Sequence, residues 1–168
     1  LFHSGIGAPD AIVRAGSVAD VQAAVRWAAA SGRAVMARGG GHSAWGEVPG
    51  GLTIDLAALS DVRVDGTLVS VGGGAVWGAV AQALAAHGLG ISSGDTASVG
   101  VGGLTLGGGI GWMARAWGLA ADQLFGAQLV TGAYDTEGAS VTIDAVALLG
   151  EPANSGLVDD PICAATGN

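Results

Sequence analysis

The stretch "ARGGGHSAWG", residues 37–46, sets three glycines between Arg38 and His42. Glycine inside a regular element costs about 0.5–1 kcal/mol relative to alanine, so three in succession need a reason. Either the backbone turns in a way that other residues forbid, or something lies directly against it. The preceding "RAVMAR" (residues 33–38) reads as a short buried strand running into the triplet. A strand that ends in consecutive glycines can turn successive main-chain N–H groups toward one concavity, a nest for an anion. With Gly39, Gly40 and Gly41 bare, a diphosphate could sit against the main chain. A tight turn without a ligand is the competing reading of the triplet taken alone.

The rest of the chain bounds those readings. Glycine makes up 32 of 168 residues, more than twice the usual share of about 7%. The glycines follow no three-residue period, which excludes collagen, and they gather at 39–41, 72–74, 100–103 and 107–111. The length suits one domain with a proper core. A 50% hydrophobic, 12% charged composition with mean hydropathy +0.53 excludes intrinsic disorder. The net charge of −8 and pI near 4.4 argue against a nucleic-acid partner or an anionic membrane surface. Main-chain N–H groups can still hold an anion on an acidic protein, because net charge does not report them. Cys163 is alone, so it forms no intrachain disulfide and no cysteine metal cluster. No apolar run is long enough to span a bilayer, and no leader is evident after Leu1, so the default expectation is a cytoplasmic protein.

Periodicity orders the elements. Ser17 caps a helix with Val18, Val21, Val25 and Ala28 at helical spacing, Asp20 three residues after the cap, and Gly32 at the end. "LTIDL" (52–56) alternates as a strand. "VRVD", Gly66-Thr67 and "LVSVGGG" form a hairpin, with Asp65-Gly66 supplying the turn. A second helix is expected over about residues 75–87, with Val76, Val80, Ala83 and Leu84 on one face and Gly88 as its stop. Residues 88–118 sustain neither period and are too apolar for a solvated loop, so a buried irregular wrap around a ligand is expected there. "LFGAQLVTG" (124–132) is strand-like, and one more strand falls around 140–148. The order implies α+β architecture with mixed sheets.

Known signatures are mostly missing. Neither G-x-G-x-x-G after a strand in a βαβ unit nor G-K-[ST] occurs, which disfavours a Rossmann site and a P-loop. No His-x-x-His or Glu-x-x-His pair supports a metal, and no G-x-S-x-G elbow presents a serine nucleophile. His3 lies near the terminus and His87 at a helix end. His42 alone follows directly on the nest, so a ligand held there by its phosphates would bring its remainder near the imidazole, although a structural histidine is the commoner case.

Taken together, "RGGGHS" (38–43) and "SVGVGGLTLGGGIGW" (98–112), with "PDAIVRAGSVADVQAAVRWA" ahead and "WGLAADQL" behind, resemble the berberine-bridge-enzyme-like FAD-linked oxidases. These fall in the vanillyl-alcohol-oxidase group with a PCMH-type FAD-binding domain, and the similarity spans about residues 9–132. The resemblance implies two small α+β lobes, about residues 1–72 and 73–132, followed by a divergent tail at 133–168 that could complete the second lobe, with no substrate domain in this chain. It implies FAD held by Arg38, Gly39, Gly40, Gly41, His42 and Ser43 on one side. Gly94, Ser98, Gly102, Gly103, Gly108, Gly109 and Gly111 would cover it from the other.

His42 would carry the covalent bond to the flavin. Members with a second, cysteine bond have that residue where this chain has Thr96, so one linkage is implied. The activity implied is oxidation of a small organic substrate by hydride transfer to the flavin, with oxygen as acceptor and no catalytic base assignable. A fragment that binds FAD weakly or not at all is the alternative. A reductase of the same domain type expects Gly-Ser-Asn at the loop end, where this chain has Gly41-His42-Ser43.

Overall fold

A computed structural model describes residues 8–43, 48–130 and 147–149. The chain opens with β1 (Ala11–Arg14), then α1 (Val18–Ala30), β2 (Val35–Arg38) and β3 (Leu52–Asp55). These strands form a parallel sheet in the order β1-β3-β2, with Leu52 paired to both Ala11 and Val35. Parallel neighbours cannot be joined by a tight hairpin. The chain leaving β2 must travel back to the start of β3, and the described residues 39–43 and 48–51 lie on that connection. The glycine triplet therefore sits at the carboxyl end of a parallel sheet, the usual place for a ligand in such arrangements.

The α1 cap explains where the helix starts. Ser17 Oγ accepts from Asp20 N–H at 3.2 Å, while Asp20 Oδ2 accepts from Gly16 N–H at 3.0 Å, so two otherwise orphaned donors are satisfied reciprocally. Ala24 and Ala28 of α1 are buried with Ala15, Leu52 and Ile54 as one core. Arg33 ties the far end of the return: it pairs with Asp10, donates to the Gly50 carbonyl at 3.0 Å, and lies 5.7 Å above the Trp27 ring.

The second sheet is antiparallel. It contains β4 (Val62–Asp65), β5 (Leu68–Val71), β6 (Leu124–Gly126) and β7 (Ala147–Leu149) in the order β4-β5-β7-β6. Val69 and Val71 pack against Trp77, Val80 and Leu84 of α2 (Trp77–Ala85), forming a second core. Beyond α2 lie the short helices α3 (Val101–Leu106) and α4 (Ala114–Trp117), then a 3-10 turn at Ala121–Gln123.

Glycines 72–74 join the two halves. Gly72 N–H donates to the Asp61 carbonyl at 2.8 Å, and Gly74 N–H to the Leu59 carbonyl at 2.9 Å. A Cβ on Gly74 would overlap the Leu56 carbonyl oxygen, and one on Gly72 would overlap that of Leu59. The turn leaving β3 lies flat on this segment because no side chains stand between them.

The α+β class expected from the sequence is present, with parallel pairing in one sheet and antiparallel in the other. Several local expectations change. "AIVR" is a strand, whereas the sequence reading began at the helix. Thr53 is buried together with Leu52 and Ile54, because the central strand is covered on both faces. Asp65 stays paired with Leu68, so the hairpin turn is Gly66-Thr67, with Gly66 at φ +59°. The second helix spans Trp77–Ala85 rather than residues 75–87, because Val76 is extended and bridges Gly100.

Residues 88–118 are neither wholly irregular nor wholly buried. They hold α3 and α4, and Leu106, Ile110 and Trp112 are 82%, 78% and 87% exposed. The 124–132 strand shortens to Leu124–Gly126. His3 and Cys163 lie outside the described residues. Among the described residues, no helix is long and apolar enough to cross a membrane.

Inserting a methyl group into the joint should be costly. Overpacking a tight site costs about 1–3 kcal/mol or more, whereas losing a serine cap costs about 1 kcal/mol. Gly74→Ala should therefore lower the urea midpoint well below that of Ser17→Ala at equal slope; a Gly74→Ala midpoint matching wild type would contradict this packing.

Candidate functional site

Beyond Arg38 the ladder continues by one bond, from Leu56 N–H to the Arg38 carbonyl at 2.9 Å. Then the backbone leaves the sheet. Gly41 adopts φ +70°, a left-handed conformation that side chains disfavour. Among the described residues, the N–H groups of Gly39, Gly40, Gly41 and His42 donate to no protein acceptor. The Arg38 side chain folds over this turn, with Nε 3.1 Å from where a Gly41 Cβ would stand. It makes no ion pair with any described residue. A cation and a run of unbonded N–H donors thus share one loop.

Sixty residues later the chain crosses this loop. A Cβ on Gly40 would overlap Gly100 N and stand 2.9 Å from the Ser98 carbonyl; a Cβ on Gly100 would overlap Gly40 N. Two main chains touch here with nothing between them. Gly73 completes the junction, its carbonyl 3.2 Å from a Cβ position at Gly39 and 3.6 Å from one at Gly102. The junction is held from the α2 side, where Trp77 N–H donates to the Val99 carbonyl at 3.0 Å and Gly78 N–H to that of Ala97 at 2.8 Å. The side chains meet as well: half-buried His42 Nε2 lies 2.9 Å from Ser98 Oγ.

The candidate glycines separate into two groups. Gly39, Gly40, Gly41 and Gly102 gather at the crossing, with Arg38, His42 and Ser98 beside it. Ser43 is exposed next to His42. Gly103 faces open space, with no atom within 4 Å of its Cβ position. The others make room for the chain itself. Gly94 and Gly109 clear Leu104, Gly109 also clears Ala120, Gly111 clears the Ser93 carbonyl, and Gly108 has φ +97°. Ala120 and Ala121 N–H groups donate to the carbonyls of Gly109 and Gly108 at 3.0 and 2.9 Å.

Gln123 locks the same region. Its Oε1 accepts from Ser92 N–H at 2.9 Å and its Nε2 donates to the Trp117 carbonyl at 2.9 Å, while Ser92 Oγ donates to the Gly118 carbonyl at 2.6 Å. Gly73 and Gly100 escaped the candidate set. Both belong to glycine clusters visible in the sequence, but nothing in a single sequence says which clusters meet.

The residues at the crossing fit an elongated, doubly phosphorylated ligand such as a dinucleotide. Among the described residues, N–H donors without a protein acceptor and a guanidinium without an ion pair share one loop, beside the bare backbone of Gly40 and Gly100 and the open position at Gly103.

A family described as FAD binding domain matches residues 9–135. An (R)-6-hydroxynicotine oxidase from Paenarthrobacter nicotinovorans is 36% identical over 131 residues, which are 76% of this chain and 29% of that protein. Among solved structures, a glucooligosaccharide oxidase from Acremonium strictum, described with 6-S-cysteinyl, 8α-N1-histidyl FAD, is 35% identical with TM-score 0.73 over 82% of this chain and 29% of its own. A BBE-like 1 variant from Physcomitrella patens is 33% identical with TM-score 0.73, over 81% of this chain and 30% of its own. The chain thus spans about three tenths of the length of these relatives.

The two kinds of glycine at the crossing should respond differently to a methyl group. Gly40→Ala should lower the melting temperature sharply, because Gly100 N cannot move without its helix. Gly103→Ala, in open space within α3, should hold or raise it, since alanine gains up to about 1 kcal/mol over glycine in a helix. Equal melting temperatures for the two variants would contradict the crossing.

Proposed function

This chain belongs to the FAD binding domain family, among the berberine-bridge-enzyme-like FAD-linked oxidoreductases, and we propose that it holds FAD through a covalent bond to His42. One observation carries the reading: the His42 ring reaches across to Ser98 at the junction of the two glycine segments. A ligand gripped by the main chain of residues 39–41 would lie beside that imidazole. The Acremonium relative carries a histidyl-linked FAD, and Thr96 at the place of its relatives' second, cysteine bond leaves His42 as the one attachment in this chain.

Each residue then has a distinct role. Gly39, Gly40 and Gly41 present N–H groups to the diphosphate, and Arg38 offsets its charge. Gly102 and Gly103 leave room for the cofactor's approach, while Gly94, Gly108, Gly109 and Gly111 let the covering segment fold tightly on itself. Ser43 flanks the attachment site. Residues about 1–72 and 73–132 act as the two lobes, with 133–168 as a divergent tail. Bound FAD supplies the redox chemistry, accepting a hydride from a small organic substrate and passing the electrons to oxygen.

The relatives' names carry a hydroxynicotine and a glucooligosaccharide, which supports a small organic molecule as the substrate. The chain spans about three tenths of the length of those relatives, whose names describe whole oxidases.

Intact mass of the purified chain tests the attachment. The expected result is an added mass equal to FAD and a yellow chain after denaturation, both lost in His42→Ala. Colourless denatured protein of unmodified mass would refute the covalent bond. Gly103→Ala, folded as well as wild type, should weaken FAD uptake about tenfold if a methyl there displaces the cofactor; unchanged uptake would remove Gly103 from the site.

A further inference from the structure

We propose that Gln123 is a positioning residue for the cofactor: its carboxamide joins the two ends of the strap 93–117 and so decides whether that strap meets the first glycine loop. The inference rests on the FAD reading above and concerns what holds the second half of that site in place. The strap carries Ser98, Gly100, α3 and α4. It departs beside fully buried Ser92 and returns at Trp117.

Gln123 is bonded to both limbs. Its Oε1 accepts from Ser92 N–H and its Nε2 donates to the Trp117 carbonyl, each at 2.9 Å. The two ends of an amide are alike in shape, but here the partners settle which is which. A main-chain N–H can only donate, and a carbonyl can only accept. Ser92 Oγ adds a direct tie to the Gly118 carbonyl at 2.6 Å, and a Cβ on Gly90 would stand 2.9 Å from Trp117 Cη2. The limbs therefore touch at their base.

The returning limb has little apolar burial to hold it. α4 buries none of its residues, and Ile110 and Trp112 ahead of it are mostly exposed. Polar ties then decide whether the limb stays down. The departing limb leads to the crossing, where Ser98 meets His42 and Gly100 lies on Gly40. An opened base would let both limbs swing away from the first glycine loop. Two amides report the strap's seating: Val101 N–H donates to the Ala75 carbonyl at 2.9 Å, and Ala120 N–H to that of Gly109 at 3.0 Å.

Substitution separates the two Gln123 bonds. Gln123→Met keeps the length of the side chain and removes both. Gln123→Glu keeps an acceptor for Ser92 N–H at any pH. Ionised, the new carboxyl turns an oxygen lone pair against the Trp117 carbonyl; protonated, its O–H donates there as the amide does. The adjacent Asp122, which accepts from Leu119 N–H at 2.7 Å, is common to all variants, as is His42, so wild type at each pH is the reference.

The experiment uses the full chain, expressed under riboflavin depletion and then given FAD, as wild type, Gln123→Met, Gln123→Glu and Ser17→Ala. Hydrogen-exchange protection in the flavin-free chains reads the strap. The rate at which added FAD acquires circular dichroism in its flavin band reads the site. Gln123→Met should lose protection at Ser92, Val101 and Ala120 while α1 keeps its own. It should take up FAD about tenfold more slowly, as expected when a buried donor loses its acceptor. Gln123→Glu should behave like Gln123→Met at about pH 8 and like wild type at about pH 5. Ser17→Ala, destabilised away from the strap, should take up FAD at the wild-type rate.

Wild-type protection at Ser92 in Gln123→Met, or wild-type FAD uptake by that variant, overturns the assignment. So does a Gln123→Glu chain that behaves alike at both pH values, a comparison that decides the matter alone if Gln123→Met does not fold. Equal slowing in Ser17→Ala would make Gln123 a general stabiliser and overturn it too. Wild type that takes up no FAD, with strap protection that falls in Gln123→Met and returns in Gln123→Glu at the lower pH, would refute the FAD reading while supporting the hold on the strap.

Discussion

Two stretches of backbone, at Gly40 and Gly100, lie against each other without a side chain on either. That contact constrains the rest of the molecule. A single Cβ at either position would collide with main-chain atoms of the other, and main chain cannot rotate away as a side chain can. The segments therefore meet in one arrangement or not at all. Everything placed by them inherits that precision: the N–H groups of residues 39–42, the open face at Gly103, and the His42–Ser98 hydrogen bond.

The surrounding fold holds the contact from both sides. One side is a parallel sheet whose central strand β3 is buried on both faces, so β2 ends at a fixed point and releases the triplet there. The other is α2, whose first amides hold Val99 and Ala97. Between these, glycines 72–74 let the turn after β3 rest on the start of the second half. Part of the glycine richness of this chain thus meets one geometric requirement, main chain on main chain, at Gly40, Gly72, Gly74, Gly100 and Gly111.

The sequence made some of this legible and hid the rest for physical reasons. α1 was readable because Ser17, Asp20 and the Val21–Val25–Ala28 spacing all agree, and the α1 cap is local. The β4–β5 hairpin was readable because Gly66 marks its turn. β1 was missed: "AIVR" is short and takes its strand character from pairing with Leu52–Asp55, which no local pattern announces. α3 was missed because Gly102 and Gly103 argue against a helix on propensity, and tertiary contacts at Gly100 and Val101 overrule them. The site was half legible. Glycine triplets suggested bare backbone, and resemblance to a known family joined the two motifs. The partnership of Gly40 with Gly100, and of His42 with Ser98, needed coordinates, since each pair is separated by more than fifty residues. The exposed Leu106, Ile110 and Trp112 contradict the simpler idea that an apolar, glycine-rich segment must be buried.

Hydrogen exchange of the backbone amides, measured on the flavin-free chain and on the same chain loaded with FAD, tests the central claim most directly. If one dinucleotide is gripped by main chain from both segments, amides 39–43 and 98–103 should slow together on loading, while those of α1 stay unchanged. Protection confined to a single segment, or appearing away from both, would show that the crossing is not where the cofactor is held.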